Sequence, residues 1–165
     1  MIVGQGDIAS VLPDSELLFF ASGVSNSRED RESEYQREVE LLADQDRTKH
    51  IVYFSSLGVL HDDSEYLRHK RAMEMLIKEG FPAYTIVRIG NISWGKNPHT
   101  LINFLRAKIN AGEKFEIQDV YRYVVDKEEF LYWVSLIPEW SCEINIPGRR
   151  MKVREIVKEI IEGSL

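Results

Sequence analysis

The chain has a single cysteine, Cys142, in 165 residues. That excludes an internal disulfide framework and leaves no thiolate pair for a metal. Cys142 lies in the alternating stretch Ser141-Cys142-Glu143-Ile144-Asn145-Ile146 with no His or Lys beside it to lower its pKa. It therefore reads as a packed strand residue rather than a reactive thiol. Long hydrophobic runs are also lacking: none approaches the ~20 apolar residues of a membrane span. Met1-Ile2-Val3-Gly4 enters a glycine turn without a charged leader or an apolar signal core, so a cytoplasmic location is expected. Positive charge is in deficit, with 21 Lys and Arg against 27 Asp and Glu, a net charge of -6. A nucleic-acid partner needs a basic face to neutralise phosphates, so none is expected. Repeats, linkers and low-complexity segments are absent as well.

What remains is an ordinary globular composition, 44% hydrophobic and 29% charged, long enough to bury one core over residues 1–165. Short apolar runs read as buried parallel strands at Leu17-Leu18-Phe19-Phe20, Ile51-Val52-Tyr53-Phe54 and Tyr84-Thr85-Ile86-Val87. Helical spacing lies between them. Residues 32–43 offer Tyr35, Val39, Leu41 and Leu42 as an apolar stripe, and residues 66–78 offer Leu67, Ala72, Met75 and Leu76. After Gly90 the pattern predicts a helix near 98–111, a strand near 121–125 and a helix near 127–136. A last helix carries Val153, Ile156, Val157, Ile160 and Ile161, and Gly163 stops it. Alternating strand and helix imply an α/β fold, a doubly wound parallel sheet with helices on both faces and right-handed crossovers.

Three motifs sit at strand ends. Gly4-Gln5-Gly6-Asp7-Ile8-Ala9 is a G-x-G-x-x-A turn, whose bare backbone lets a pyrophosphate approach a helix N-terminus. It equally suits a plain strand-to-helix turn, and Asp7 puts a negative charge near the phosphate position. Tyr66 and Lys70 are i and i+4 on one helix face, where an ammonium can depress a phenol and make it a general acid/base. The same spacing arises by chance on amphipathic helices, but Ser55-Ser56 ends the preceding strand, where open α/β sheets bind ligands. The third motif is Arg88-Ile89-Gly90-Asn91-Ile92-Ser93-Trp94-Gly95; Arg88 is either part of a site or a salt-bridged residue at the core edge.

In this order, and with Ala21-Ser22-Gly23 after the second strand, the motifs resemble the extended or atypical branch of the short-chain dehydrogenase/reductase superfamily, the nucleotide-sugar epimerases and dehydratases. The resemblance spans nearly the whole chain and implies a Rossmann-like fold with NAD or NADP as cofactor. It assigns Ser56, Tyr66 and Lys70 as the catalytic set. Gly4, Gln5, Gly6, Asp7, Ile8, Ala21, Ser22, Gly23, Phe54, Tyr66, Lys70, Arg88, Ile89 and Gly90 would line the cofactor. Ser56, Asn91 and Arg122, the last in Tyr121-Arg122-Tyr123-Val124-Val125-Asp126, would meet a small-molecule substrate such as a nucleotide sugar. Gly95 falls about one position late for the family pattern.

The sequence departs from the family in two places. Only about ten residues separate the glycine turn from Leu17, so the strand there reads as the family's fourth. Strands 2 and 3, with the acidic residue that holds the adenosine ribose, are then missing, and the fold expected is a truncated one. The stretch from Ser56 to Tyr66 is also short for a substrate cover. Two functions follow: an NAD(P)-dependent oxidoreductase or epimerase with Tyr66 as general acid/base, or a catalytically inactive binding or partner protein that has lost the cofactor. Self-association is expected in either case, through a first strand left at the sheet edge.

Other groupings carry less. His61, Asp62, Asp63 and His69 are close in sequence but lack a matched ligand pair, and read as a solvated loop with no metal. Arg28-Glu29-Asp30-Arg31-Glu32 reads as a charge cluster facing water at a helix start. Trp133 and Trp140 read as core or interface aromatics.

Overall fold

A computed structural model describes residues 1–165, built on a five-stranded parallel sheet. Its strands are β1 (Ile2–Val3), β2 (Leu18–Phe20), β3 (Ile51–Ser56), β4 (Tyr84–Ile89) and β7 (Cys142–Ile146), side by side in that order. Every adjacent pair is parallel. The middle strands are buried on both faces, which is why they read as unbroken apolar runs. Helices α1 (Glu32–Ala43) and α2 (Glu65–Gly80) cover one face, where Leu18, Phe20, Leu42, Tyr53, Met73 and Ile77 pack together. On the other face Phe19, Val52, Phe54, Val87 and Ile146 meet Phe130 and Val134 of α4 (Lys127–Ser135). The sheet and its helices form a Rossmann-like fold.

A second, three-stranded sheet was not foreseen. The strand expected at 121–125 is present as β6 (Tyr121–Val125), but it leaves the main sheet to pair with β5 (Asn91–Ile92) and, antiparallel, with β8 (Arg149–Lys152). Helices α3 (Leu101–Asn110) and α5 (Val153–Glu162) back it, with Ile102, Leu105, Val124, Met151 and Ile156 as a separate core. Gly90 and Gly148 set the junction. A Cβ on Gly90 would lie 2.7 Å from the Pro147 carbonyl oxygen, and one on Gly148, at φ 69°, would lie 2.1 Å from that of Val124.

Two helices bury a different stripe from the one the apolar residues suggest. In α1 the buried residues are Tyr35, Glu38 and Leu42; in α2 they are Leu67, Lys70, Met73, Glu74 and Ile77. Met75 and Leu76 face outward, 60% and 42% exposed. Each helix thus turns charged side chains inward, and ion pairing is what allows it. Glu29 also turns inward from its expected solvated cluster, bonded through both carboxylate oxygens to Arg31. Trp140 is 71% exposed and Trp133 lies on the surface, so neither is a core aromatic. No helix is long and apolar enough to cross a membrane.

Candidate functional site

The C-terminal ends of β1 to β4 form a rim on which the expected site residues fall into two groups. Around β3 the chain converges. Ser56 ends β3 and caps a short 3-10 turn, its hydroxyl accepting from the Gly58 amide at 3.2 Å. Ser64 caps α2 by accepting from the Leu67 amide, which places Tyr66 in the first turn, facing the strand end. The Lys70 ammonium lies 5.7 Å from the centre of the Tyr66 ring. Burial raises the Tyr66 phenol above its ordinary value and the Glu38 carboxylate raises it further, while the Ser56 hydroxyl, a hydrogen-bonding neighbour, acts the other way.

Lys70 is not free. Its side chain is 3% exposed, and the ammonium donates to Glu38 Oε1 at 3.2 Å and to the Tyr53 hydroxyl at 3.1 Å. Glu38 is fully buried and accepts from four groups in all. Besides Lys70 they are the Val24 amide at 2.7 Å, the Tyr53 hydroxyl at 2.7 Å and His69 Nε2 at 2.9 Å. Burial alone would raise the Glu38 carboxyl; Lys70, His69, Val24 and Tyr53 outweigh it and hold it well below the usual carboxylate range. Gly23 makes room for the pair, since a Cβ there would lie 2.5 Å from Lys70 Nζ and 2.8 Å from Glu38 Oε1.

Around β1 the structure is thinner. No strand lies beyond β1, which pairs with β2 over two residues. The glycine turn leads into a single 3-10 turn (Ala9–Val11) instead of a long helix, so the aligned amides of a phosphate-binding helix are not assembled. Gly4, at φ 129°, crosses β2 so closely that a Cβ would lie 2.4 Å from the Ala21 carbonyl oxygen. Gln5 and Gly6 are exposed, and nothing lies within 4 Å of a Cβ built on Gly6. The Asp7 carboxylate turns to the chain itself, accepting from the Lys96 and Asn97 amides at 2.9 and 3.0 Å. Gly95, at φ 93°, is the glycine that approach requires. Ile8 packs on the core.

The other expected residues are engaged within the fold. Arg88 binds Glu74 through Nε at 3.0 Å and Nη2 at 2.6 Å, and reaches Glu143 at 2.7 Å. That is the salt-bridged alternative. Phe54 and Ile89 are core residues. Ser22 accepts from Arg37 at 3.3 Å, and Asn91 donates to the Tyr123 carbonyl at 3.0 Å, tying β5 to β6. Arg122 lies on β6 and donates to the Tyr121 carbonyl at 3.0 Å. His69 turns to Glu38, away from Asp62 and Asp63. A polar cavity of about 190 Å³ opens at the end of β2, lined by Gly23, Ser25, Asn26, Arg37 and His99 among others. It is smaller than the ~300–1,000 Å³ of sites that enclose a drug-sized ligand.

Glu38 and Glu74 were not singled out in the sequence, Tyr53 was read only as a strand residue, and His69 only as part of a solvated loop. The signal for Glu38 was its place at i+3 from Tyr35 and i-4 from Leu42, a carboxylate in an apolar stripe.

No family model matches the sequence, and no curated protein matches it. Solved structures do resemble it. The Bordetella bronchiseptica enzyme WbmG in complex with NAD superposes with a TM-score of 0.69 at 14% identity, over 90% of this chain and 56% of that one. A UDP-N-acetylglucosamine 4-epimerase from Methanobrevibacter ruminantium, in complex with UDP-N-acetylmuramic acid, gives 0.64 at 15% identity, over 94% and 63%. The dTDP-4-dehydrorhamnose reductase of Bacillus anthracis, in complex with NADP, gives 0.67 at 15% identity, over 90% and 62%. The chain therefore spans a little over half the length of these enzymes, and what it shares with them is the Rossmann-like fold.

Proposed function

We propose that the chain is an NAD(P)-dependent oxidoreductase or epimerase of the short-chain dehydrogenase/reductase type. Its substrate would be a hydroxyl or carbonyl carbon of a nucleotide sugar or related molecule. The observation that carries this reading is the meeting of Ser56, Tyr66 and Lys70 at the C-terminal end of the parallel sheet. Relatives in fold that were solved with NAD, NADP or a UDP-sugar support it.

The residues present fit the reactive end of such a cofactor. Tyr66 is half-buried beside Ser56, and the exposed backbone at Gly6 leaves open space beside the turn. Gly4, Gln5 and Gly6, with Ala21, Ser22 and Gly23, would hold it. When bound, the nicotinamide supplies the hydride acceptor or donor. Tyr66 exchanges a proton with the substrate oxygen, and Ser56 hydrogen-bonds the same oxygen and orients it. Nothing beyond β1 is available to grip the adenosine end, so affinity is expected to be low.

One observation favours a second reading, a binding or partner protein without catalysis: the buried Glu38 holds the one ammonium that the chemistry would use. Calorimetric titration with NAD, NADH, NADP and NADPH separates the two. The enzymatic reading expects one oxidised/reduced pair to bind with a Kd between about 10 μM and 1 mM, roughly 4 to 7 kcal/mol. Absence of binding for all four at millimolar concentration overturns it in favour of the second.

A further inference from the structure

We propose that Glu38 is a positioning residue that holds Lys70 in an internal ion pair, withdrawing its charge from Tyr66 and its ammonium protons from an incoming ligand. The inference rests on Ser56, Tyr66 and Lys70 being the reactive set. It adds a residue from a different helix that restrains them.

Lys70 Nζ has two oxygen partners inside the protein, Glu38 Oε1 and the Tyr53 hydroxyl, and almost no exposed surface. Glu38 is itself locked by the Val24 amide, Tyr53 and His69. Gly23 leaves the room that the pair occupies, since a Cβ there would lie 2.5 Å from Lys70 Nζ. A carboxylate beside the ammonium also cancels the field that would favour a tyrosinate at Tyr66. The groups facing this cluster are Glu29 and Asp30 ahead of α1, Tyr35 and Glu38 from α1, Tyr53 and Ser56 from β3, and Glu65, His69, Lys70 and Glu74 from α2 itself. Lys70 is the cation among them, and both it and His69 contact Glu38.

Glu38→Gln keeps the shape and one of the two accepting oxygens while removing the charge. The test is an ultraviolet tyrosinate titration of the wild type and of Glu38→Gln, each paired with its Tyr66→Phe counterpart so that the difference isolates Tyr66. Circular dichroism checks the fold. The expected result is that Tyr66 ionises about 1 pH unit lower in Glu38→Gln than in the wild type, the part of its displacement due to burial remaining. Adding Lys70→Met to Glu38→Gln should reverse the shift. An unchanged Tyr66 titration in folded Glu38→Gln overturns the proposal.

If Glu38→Gln does not fold, lysine modification of the wild type by reductive methylation, read by mass spectrometry, takes its place. Lys70 should react at least about tenfold more slowly than the 73%-exposed Lys158. Equal rates overturn the proposal. None of these readouts needs a cofactor, so a failure of nucleotide binding would be told apart from a failure of the Glu38 restraint.

Discussion

The two ends of the rim formed by the C-terminal ends of the strands are built unequally. At β3 and β4 the strands are in register over six residue pairs, from Ile51–Tyr84 to Ser56–Ile89, and a sixteen-residue helix, α2, carries Tyr66 and Lys70 back over them. At β1 the register is two pairs long, followed by one 3-10 turn. Long register fixes backbone, and fixed backbone lets side chains from three elements meet at a point. The short end offers only bare backbone. Proton transfer needs the first kind of structure, whereas weak contact with a phosphate needs only the second.

The largest effect should come from breaking the strong end. Glu38→Ala leaves the Lys70 ammonium buried without its carboxylate and should cost about 3–5 kcal/mol in urea denaturation. Asp7→Ala, at the weak end, strands two loop amides near solvent and should cost less, about 1–2 kcal/mol. Equal losses at the two positions would dissolve the contrast.

Acid should find the same asymmetry. The folded state lowers the Glu38 pKa, so the stability from Glu38 is fully present above its unfolded value near 4.5. It is lost as pH falls below that value toward the folded one, because the unfolded state then binds the proton first. Glu38→Gln should flatten the acid limb of the stability curve, measured by urea unfolding between pH 6 and pH 3. A limb as steep as the wild type's would place the titrating group elsewhere.

At β1 two glycines two residues apart differ in how closely the fold confines them. Gly4→Ala puts a Cβ against the Ala21 carbonyl at a positive φ and should destabilise by about 1–3 kcal/mol. Gly6→Ala meets nothing and should change stability by no more than about 0.5 kcal/mol. If the turn receives a phosphate, the same Gly6→Ala should weaken nucleotide binding severalfold in calorimetry. A loss of stability at Gly6 would show that its backbone is confined by the fold alone.

The sequence made the fold legible wherever hydrophobic pattern and punctuation agreed. β3, β4, β6, α1 and α5 fall where periodicity places them, and Gly163 stops α5 in the left-handed region. The second sheet escaped because β5 is two residues long and β8 reads Arg149-Arg150-Met151-Lys152, with hardly an apolar residue to mark it. The helix faces were misjudged for a single reason: Glu38, Lys70 and Glu74 count as polar in a periodicity argument, yet pairing buries them. Motif spacing put Ser56, Tyr66 and Lys70 near one another, and in the structure the Lys70 ammonium lies 5.7 Å from the centre of the Tyr66 ring. It carried no information on what holds Lys70, because the partner lies on another helix, 32 residues away in sequence.

The proposed reading, a reactive end at Ser56 and Tyr66 with little to hold an adenosine, is checked by titrating the protein in a calorimeter with NADH, NADPH and reduced nicotinamide mononucleotide. The account predicts that the mononucleotide binds within about tenfold of the better dinucleotide, a difference of no more than about 1.4 kcal/mol. A dinucleotide bound a hundredfold more tightly than its nicotinamide half would contradict it, and would require an adenosine site that the edge strand β1 does not supply.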